Sequence, residues 1–203
     1  MEPFRTLEGV ACPLPLSNVD TDQIIPARFL KEPRAAGYER FLFHDLRFDS
    51  AGKATGALAL DHPERRGAVI LVARRNFGAG SSREAAVYAL LDFGIRCVIA
   101  SSFGDIFASN AVNNGLLPAQ VSEADVERLL AALADGLRVL TVDLAAERTL
   151  GAGEPIRFVV DPVWRRKLLN GWDDLDLTLS YADAIESWSR EDARRRPWAP
   201  PAA

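Results

Sequence analysis

Residues 68–84 read Ala68-Val-Ile-Leu-Val-Ala-Arg-Arg-Asn-Phe-Gly-Ala-Gly-Ser-Ser-Arg-Glu84. The apolar run Ala68–Ala73 predicts a buried strand, and the pattern from Glu84 to Phe93 predicts a helix. Gly94 follows as the residue that ends it. A second apolar run, Arg96–Ser101, predicts another buried strand. Strand, helix and strand make a β–α–β unit, which implies a right-handed parallel crossover and an α/β fold. Two glycines, two serines and an arginine therefore stand where a strand turns into a helix. Backbone N–H groups at such an end lack intrahelical partners and face whatever fills the cleft. A serine hydroxyl and an arginine fork beside them suit a carboxylate or a phosphate.

Outward from this unit, residues 4–12 predict a strand ended by Pro13 and Pro15, and Ser17–Asp22 a polar turn. Residues 27–66 lack clear periodicity and read as an irregular segment, of the kind that often carries function. After the unit come a helix over Phe103–Val112, ended by Asn113-Asn114-Gly115, and a short extended piece at Leu116–Pro118. Ser122-Glu-Ala-Asp125 is a capping box that opens the next helix. Strands follow at Leu137–Leu144 and Ile156–Val160, joined by a turn through Gly151–Glu154. Asp161-Pro162 starts a helix to Leu169, broken by Gly171. Tyr181–Trp188 predicts the last helix. The expected organisation is one domain over 1–192 and a frayed tail over 193–203.

The chain has 203 residues, 48% of them hydrophobic, enough for a substantial core. A formal net charge of −4 argues against attraction to nucleic acid or to an anionic membrane surface. The apolar runs are far shorter than the roughly twenty residues that span a bilayer. The start, Met-Glu-Pro-Phe-Arg-Thr, lacks a secretory leader pattern, so the expected compartment is the cytoplasm. Cys12 and Cys97 both lie in apolar runs and read as buried thiols. Two cysteines do not furnish the usual four-thiolate shell of an iron–sulfur cluster, and no metal site is expected on this chain.

Three stretches are candidates for chemistry. In the Gly-rich turn, Gly78-Ala-Gly80 resembles a dinucleotide fingerprint, but Arg83 holds the third glycine position. Ser101-Ser102 also stands where a ribose-binding acid belongs. Ser81-x-x-Glu84 is itself a capping box, so Ser81 serves equally well as a helix cap on sequence alone. Arg83, placed in the first helical turn, opposes the helix dipole and makes more sense beside an anion. The second stretch is Asn18-Val-Asp-Thr-Asp-Gln-Ile-Ile-Pro26, readable as an Asx-type turn, with Arg28 just beyond it. The third runs from Ser102-Phe-Gly-Asp-Ile-Phe107 to Asn114-Gly-Leu-Leu-Pro118. Here Ile106 and Phe107 read as core, Asp105 as a dipole partner and the asparagines as caps. His44 and His62 lie apart from all three, so no Ser–His pair is indicated.

Taken together, these stretches resemble the small subunits of bacterial 3-isopropylmalate dehydratases, a branch of the aconitase superfamily. Phe29-Leu30 through Phe43–Phe48, and Asn170-Gly171 with Leu177-Thr-Leu179, look like further parts of that family. The resemblance implies the swivelling β/β/α domain, with a mixed central sheet and flanking helices. It implies a separate large subunit carrying a [4Fe-4S] cluster, and an active site formed between the two. It implies interconversion of 2- and 3-isopropylmalate by dehydration and rehydration, in leucine biosynthesis. By the same resemblance Ser81 is the base and Arg83 the carboxylate clamp, while Asp22, Thr21, Arg28, Ser82 and Gly80 line the substrate site. Departures from the family pattern are Ala79, Ala85, Val87, Gly104 and Ala111. They leave open a relative that acts on another malate- or citrate-type hydroxy acid, or a non-catalytic regulatory subunit.

Overall fold

The computed structural model describes residues 1–199. The chain begins with β1 (Thr6–Leu14) and one-turn helices α1 (Thr21–Ile24) and α2 (His44–Arg47), the latter set among 3₁₀ turns between 27 and 65. Next come β2 (Ile70–Ala73), α3 (Glu84–Phe93), β3 (Cys97–Ala100), α4 (Asp105–Asn113), β4 (Leu117–Gln120) and α5 (Glu123–Ala134). Then follow β5 (Val139–Asp143), β6 (Arg148–Leu150), β7 (Ile156–Arg157), α6 (Pro162–Asn170), α7 (Asp174–Leu179) and α8 (Ala182–Arg195).

The seven strands form one mixed sheet in the order β4-β3-β2-β1-β5-β6-β7. Its β4–β1 half is parallel and its β1–β7 half antiparallel. Side chains alternate between the two faces along each strand. Leu71, Ala73, Val98 and Ala100 join one core with α3, α4 and the irregular segment. Ile70, Val72, Cys97 and Ile99 join a second core with α5, α6 and β5–β7. Being covered on both faces, β2 and β3 are apolar at every position, which is why they are plain in the sequence.

Several elements differ from expectation. β1 continues through Pro13 to Leu14 because it changes partner: Thr6–Val10 pair with β5, and Ala11–Leu14 pair with β2. Pro13 has no strand on its β5 side, where a missing N–H costs nothing. The polar turn at 17–22 closes into α1, with Asp20 as its cap in a reciprocal box with Gln23. β6 is short and polar, and α7 buries no residue, so neither carries a periodic signal. α8 runs to Arg195, past both Trp188 and the expected onset of the tail at 193. The rest of that expected tail includes residues 200–203, which lie outside the described residues.

Candidate active site

The turn at 76–83 lies at the carboxyl end of β2, the edge of a parallel sheet where α/β proteins bind ligands. It is gripped from both sides. On the β1 side, Gly78 N–H donates to Val19 O at 2.7 Å and Thr21 N–H to Ala79 O at 2.9 Å. The Thr21 hydroxyl donates to Ser81 O at 2.9 Å. On the β3 side, Asn76 N–H donates to Ser102 Oγ at 2.8 Å and Gly104 N–H to Phe77 O at 2.9 Å. Gly78 has φ +74°, and a Cβ there would stand 2.2 Å from Phe107 Cγ. A Cβ on Gly104 would stand 2.5 Å from Gly78 O. The two segments touch backbone to backbone, which only glycine at both places allows.

This packing opens a cavity of about 190 Å³, lined by Thr21, Gly78, Gly80, Ser81 and Arg83 on one side and by Gly104–Phe107 on the other. The N-termini of α3 and α4 both reach it. Neither has a side-chain cap: the N-cap residues are Arg83 and Gly104. Ser81 therefore does not cap α3, and Arg83 precedes the first turn in an extended conformation (φ −139°) instead of lying within it. Two uncapped helix starts put free N–H groups and two positive dipole ends at one opening, which favours an anion.

Arg83 is the buried cation of the site, its side chain 15% exposed. Its Nη1 is closed off from solvent and paired with the Asp22 carboxylate. The guanidinium, helped by the Ala27 amide, holds the Asp22 carboxyl below the usual carboxylate range. Asp22 itself is largely exposed on the rim. Ser81 and Gly80 are exposed at the cavity, so the serine hydroxyl has a solvent route.

Other expected residues fall elsewhere. Thr21 is 2% exposed and spends its hydroxyl on the Ser81 carbonyl, so it shapes the turn. Arg28 does not line the cavity: it forks onto both oxygens of Asp45, 2.8 Å to Oδ2, and meets His44 Nδ1 at 3.2 Å. Ser82 is exposed but outside the cavity lining. Ile106, expected in the core, is 54% exposed at the mouth, while Phe107 is buried as expected. Asp105 lines the cavity as a free-standing carboxylate, a role its place at a helix start concealed. Asn114 does cap, donating to Asn110 O at 2.9 Å, but it also reaches Glu84 Oε1 at 2.8 Å. Among the family departures, Val87 and Ala111 are fully buried in the core and line nothing.

Among the described residues, no group of three or more His, Cys, Asp or Glu side chains is placed to hold a metal ion. Cys12 and Cys97 belong to the cores on opposite faces of the sheet. Among the described residues no helix is long and apolar enough to cross a membrane.

This mixed α/β sheet, with its Gly-Ser-Ser-Arg turn at a helix start, has relatives among known proteins. The Aconitase C-terminal domain family model matches residues 1–124. The small subunit of 3-isopropylmalate dehydratase from Rhodospirillum centenum is 49% identical over 98% of this chain and 99% of its own. The one from Phenylobacterium zucineum is 46% identical over 98% of each. A solved 3-isopropylmalate dehydratase structure from Methanocaldococcus jannaschii superposes with a TM-score of 0.61 at 27% identity, covering 91% of this chain and 99% of that one. The chain belongs to the family of 3-isopropylmalate dehydratase small subunits.

Proposed function

We propose that the 76–83 turn supplies the base and the carboxylate clamp for interconverting 2- and 3-isopropylmalate in the leucine pathway, in the cytoplasm. The observation that carries this reading is Arg83: a guanidinium with a side chain only 15% exposed, paired with Asp22, at a cavity where two uncapped helices begin. A substrate carboxylate fits there, accepting from Arg83 and from the free backbone N–H groups.

Ser81 Oγ then takes the proton from the carbon next to a carboxylate and returns it on rehydration. A serine hydroxyl is a poor base unless its alkoxide is stabilised. Fixed positive dipoles and an adjacent guanidinium give that stabilisation without reorganisation. Thr21 holds the Ser81 backbone, and Asp22 balances Arg83 when no substrate carboxylate is bound. In this reading a [4Fe-4S] cluster on a separate large subunit would supply Lewis-acid help to the departing hydroxyl. The single-domain organisation over 1–192 belongs to the same reading and is supported by two cores that share one sheet.

In the assembled enzyme, Ser81→Ala or Arg83→Lys should lower kcat about a hundredfold or more, the usual effect of removing a preorganised charge-stabilising group. Ultraviolet assay of the unsaturated intermediate measures this directly. Turnover within a fewfold of wild type would refute the assignment.

A further inference from the structure

We propose that Asp105 selects the branch of the substrate: it admits a dicarboxylate with an apolar branch and rejects one whose branch ends in a third carboxylate, as in citrate-type acids. This rests on the preceding reading, in which the Ser81 cavity holds the substrate, and it names the specificity of that same site.

The two helix starts at the cavity are electrostatically unequal. α3 begins beside Arg83, and the acid in its first turn is drawn away: Glu84 Oε1 accepts from Asn114 Nδ2 at 2.8 Å. α4 begins with Asp105, which lines the cavity and is exposed. Among the described residues, its carboxylate has neither an ion pair nor a hydrogen bond. An acid at that place offsets the positive end of its own helix. The α3 side of the cavity therefore carries the cation, and the α4 side carries a free negative charge. The carboxylates of a substrate are drawn to the first side, which leaves its branch facing the second. There Ile106 follows Asp105 along the same wall, 54% exposed, and offers the branch an apolar surface.

A carboxylate at the end of the branch meets a like charge within a cavity of about 190 Å³. Like charges a few ångströms apart near a protein surface weaken binding about ten- to a hundredfold. A built-in repulsion of this kind separates two ligands that attraction alone does not. An isopropyl and a carboxymethyl branch are close in size, so charge decides between them, not volume. An acid in the first turn of a helix has an ordinary role in balancing the dipole. Glu84 and Asp105 hold equivalent places on their helices, however, and only Asp105 is left unpaired in the cavity. A role confined to the helix would affect all ligands of the site alike.

The test uses the full chain assembled with its cognate large subunit, and two competitive inhibitors, isopropylsuccinate and tricarballylate. Both are substituted succinates that differ only in the branch, so the shared half cancels in the ratio of their inhibition constants. Wild type should favour isopropylsuccinate at least about tenfold. Asp105→Asn should cut that preference at least about fivefold, and Asp105→Glu should keep it. A wild-type enzyme without the preference would overturn the proposal. So would an Asp105→Asn enzyme with an unchanged ratio, including one that binds both inhibitors equally less well. Arg83→Lys separates the two readings, because it should weaken both inhibitors alike. Wild-type binding of both by Arg83→Lys would count against the carboxylate clamp. Weakened binding there, with an unchanged ratio in Asp105→Asn, would count against the selector alone.

Discussion

The turn at 76–83 is tied to its two flanking segments by backbone and hydroxyl bonds, whereas the helices at 174–195 form an arm that is tied down at its root and buries nothing beyond it. The turn tolerates no extra atom at Gly78 or Gly104, while the arm holds out large apolar side chains with open space around them. A site that stabilises developing charge needs groups already in place before reaction. α4 joins the two places: its first residues wall the cavity and its last, Asn113, bonds Asp174.

The sharpest way to break this contrast is to add a methyl group in the turn and to remove an indole from the arm. Gly78→Ala forces a side chain into Phe107 at a positive φ. It should destabilise the fold by about 3 kcal/mol, read as a shifted urea midpoint. Trp188→Ala on the arm should leave the midpoint of the isolated chain within about 0.5 kcal/mol. Equal shifts would mean that the arm packs on the body.

A smaller effect isolates the grip on Ser81. Thr21→Val removes the hydroxyl that meets the Ser81 carbonyl. It should cost about 1 kcal/mol of stability and lower kcat about tenfold with little change in KM. Thr21→Ser should restore most of both. A Thr21→Val enzyme with normal kcat would show that the turn holds its shape without this bond.

The smallest effects concern charge and thiols. The Arg28 fork holds the Asp45 carboxyl down at about 2. A lowered carboxylate stabilises the fold above its ordinary range and loses that contribution as pH falls through the folded value. The 28–45 pair should therefore persist as pH drops past the usual range near 3.8 and open towards 2. Asp45 carboxyl chemical shifts followed by NMR should show this, and an ordinary midpoint would break the pairing. Burial pushes the Cys12 thiol up to about 12 and raises Cys97 as well. Neither should react with a thiol reagent until urea unfolds the chain.

Much of the core was readable because β2 and β3 are apolar at every position and α3 between them ends at Gly94. The catalytic turn was readable as composition: Gly, Ser and Arg at a strand-to-helix junction. Its internal roles were not. Ser81 looked like a cap because Ser-x-x-Glu is a local pattern, but α3 starts two residues later, where the bonds to Thr21 and Val19 set the turn. Arg28 reads as a site residue from its place just after Pro26 and from the family likeness, and in the fold its guanidinium forks onto Asp45. Ile106 looked like core because its type is apolar, and only the packing of α4 shows that it faces out.

Sequence alone determined the α/β class, the strand–turn–helix at 68–93 and the likeness to one family. These depend on local spacing and residue chemistry. Tertiary structure alone decided which groups meet: Arg83 with Asp22, Thr21 with Ser81, two helix starts at one cavity, and an arm left without a cover. Those depend on segments far apart in the chain arriving at the same edge of one sheet, and local patterns carry no record of where the chain returns.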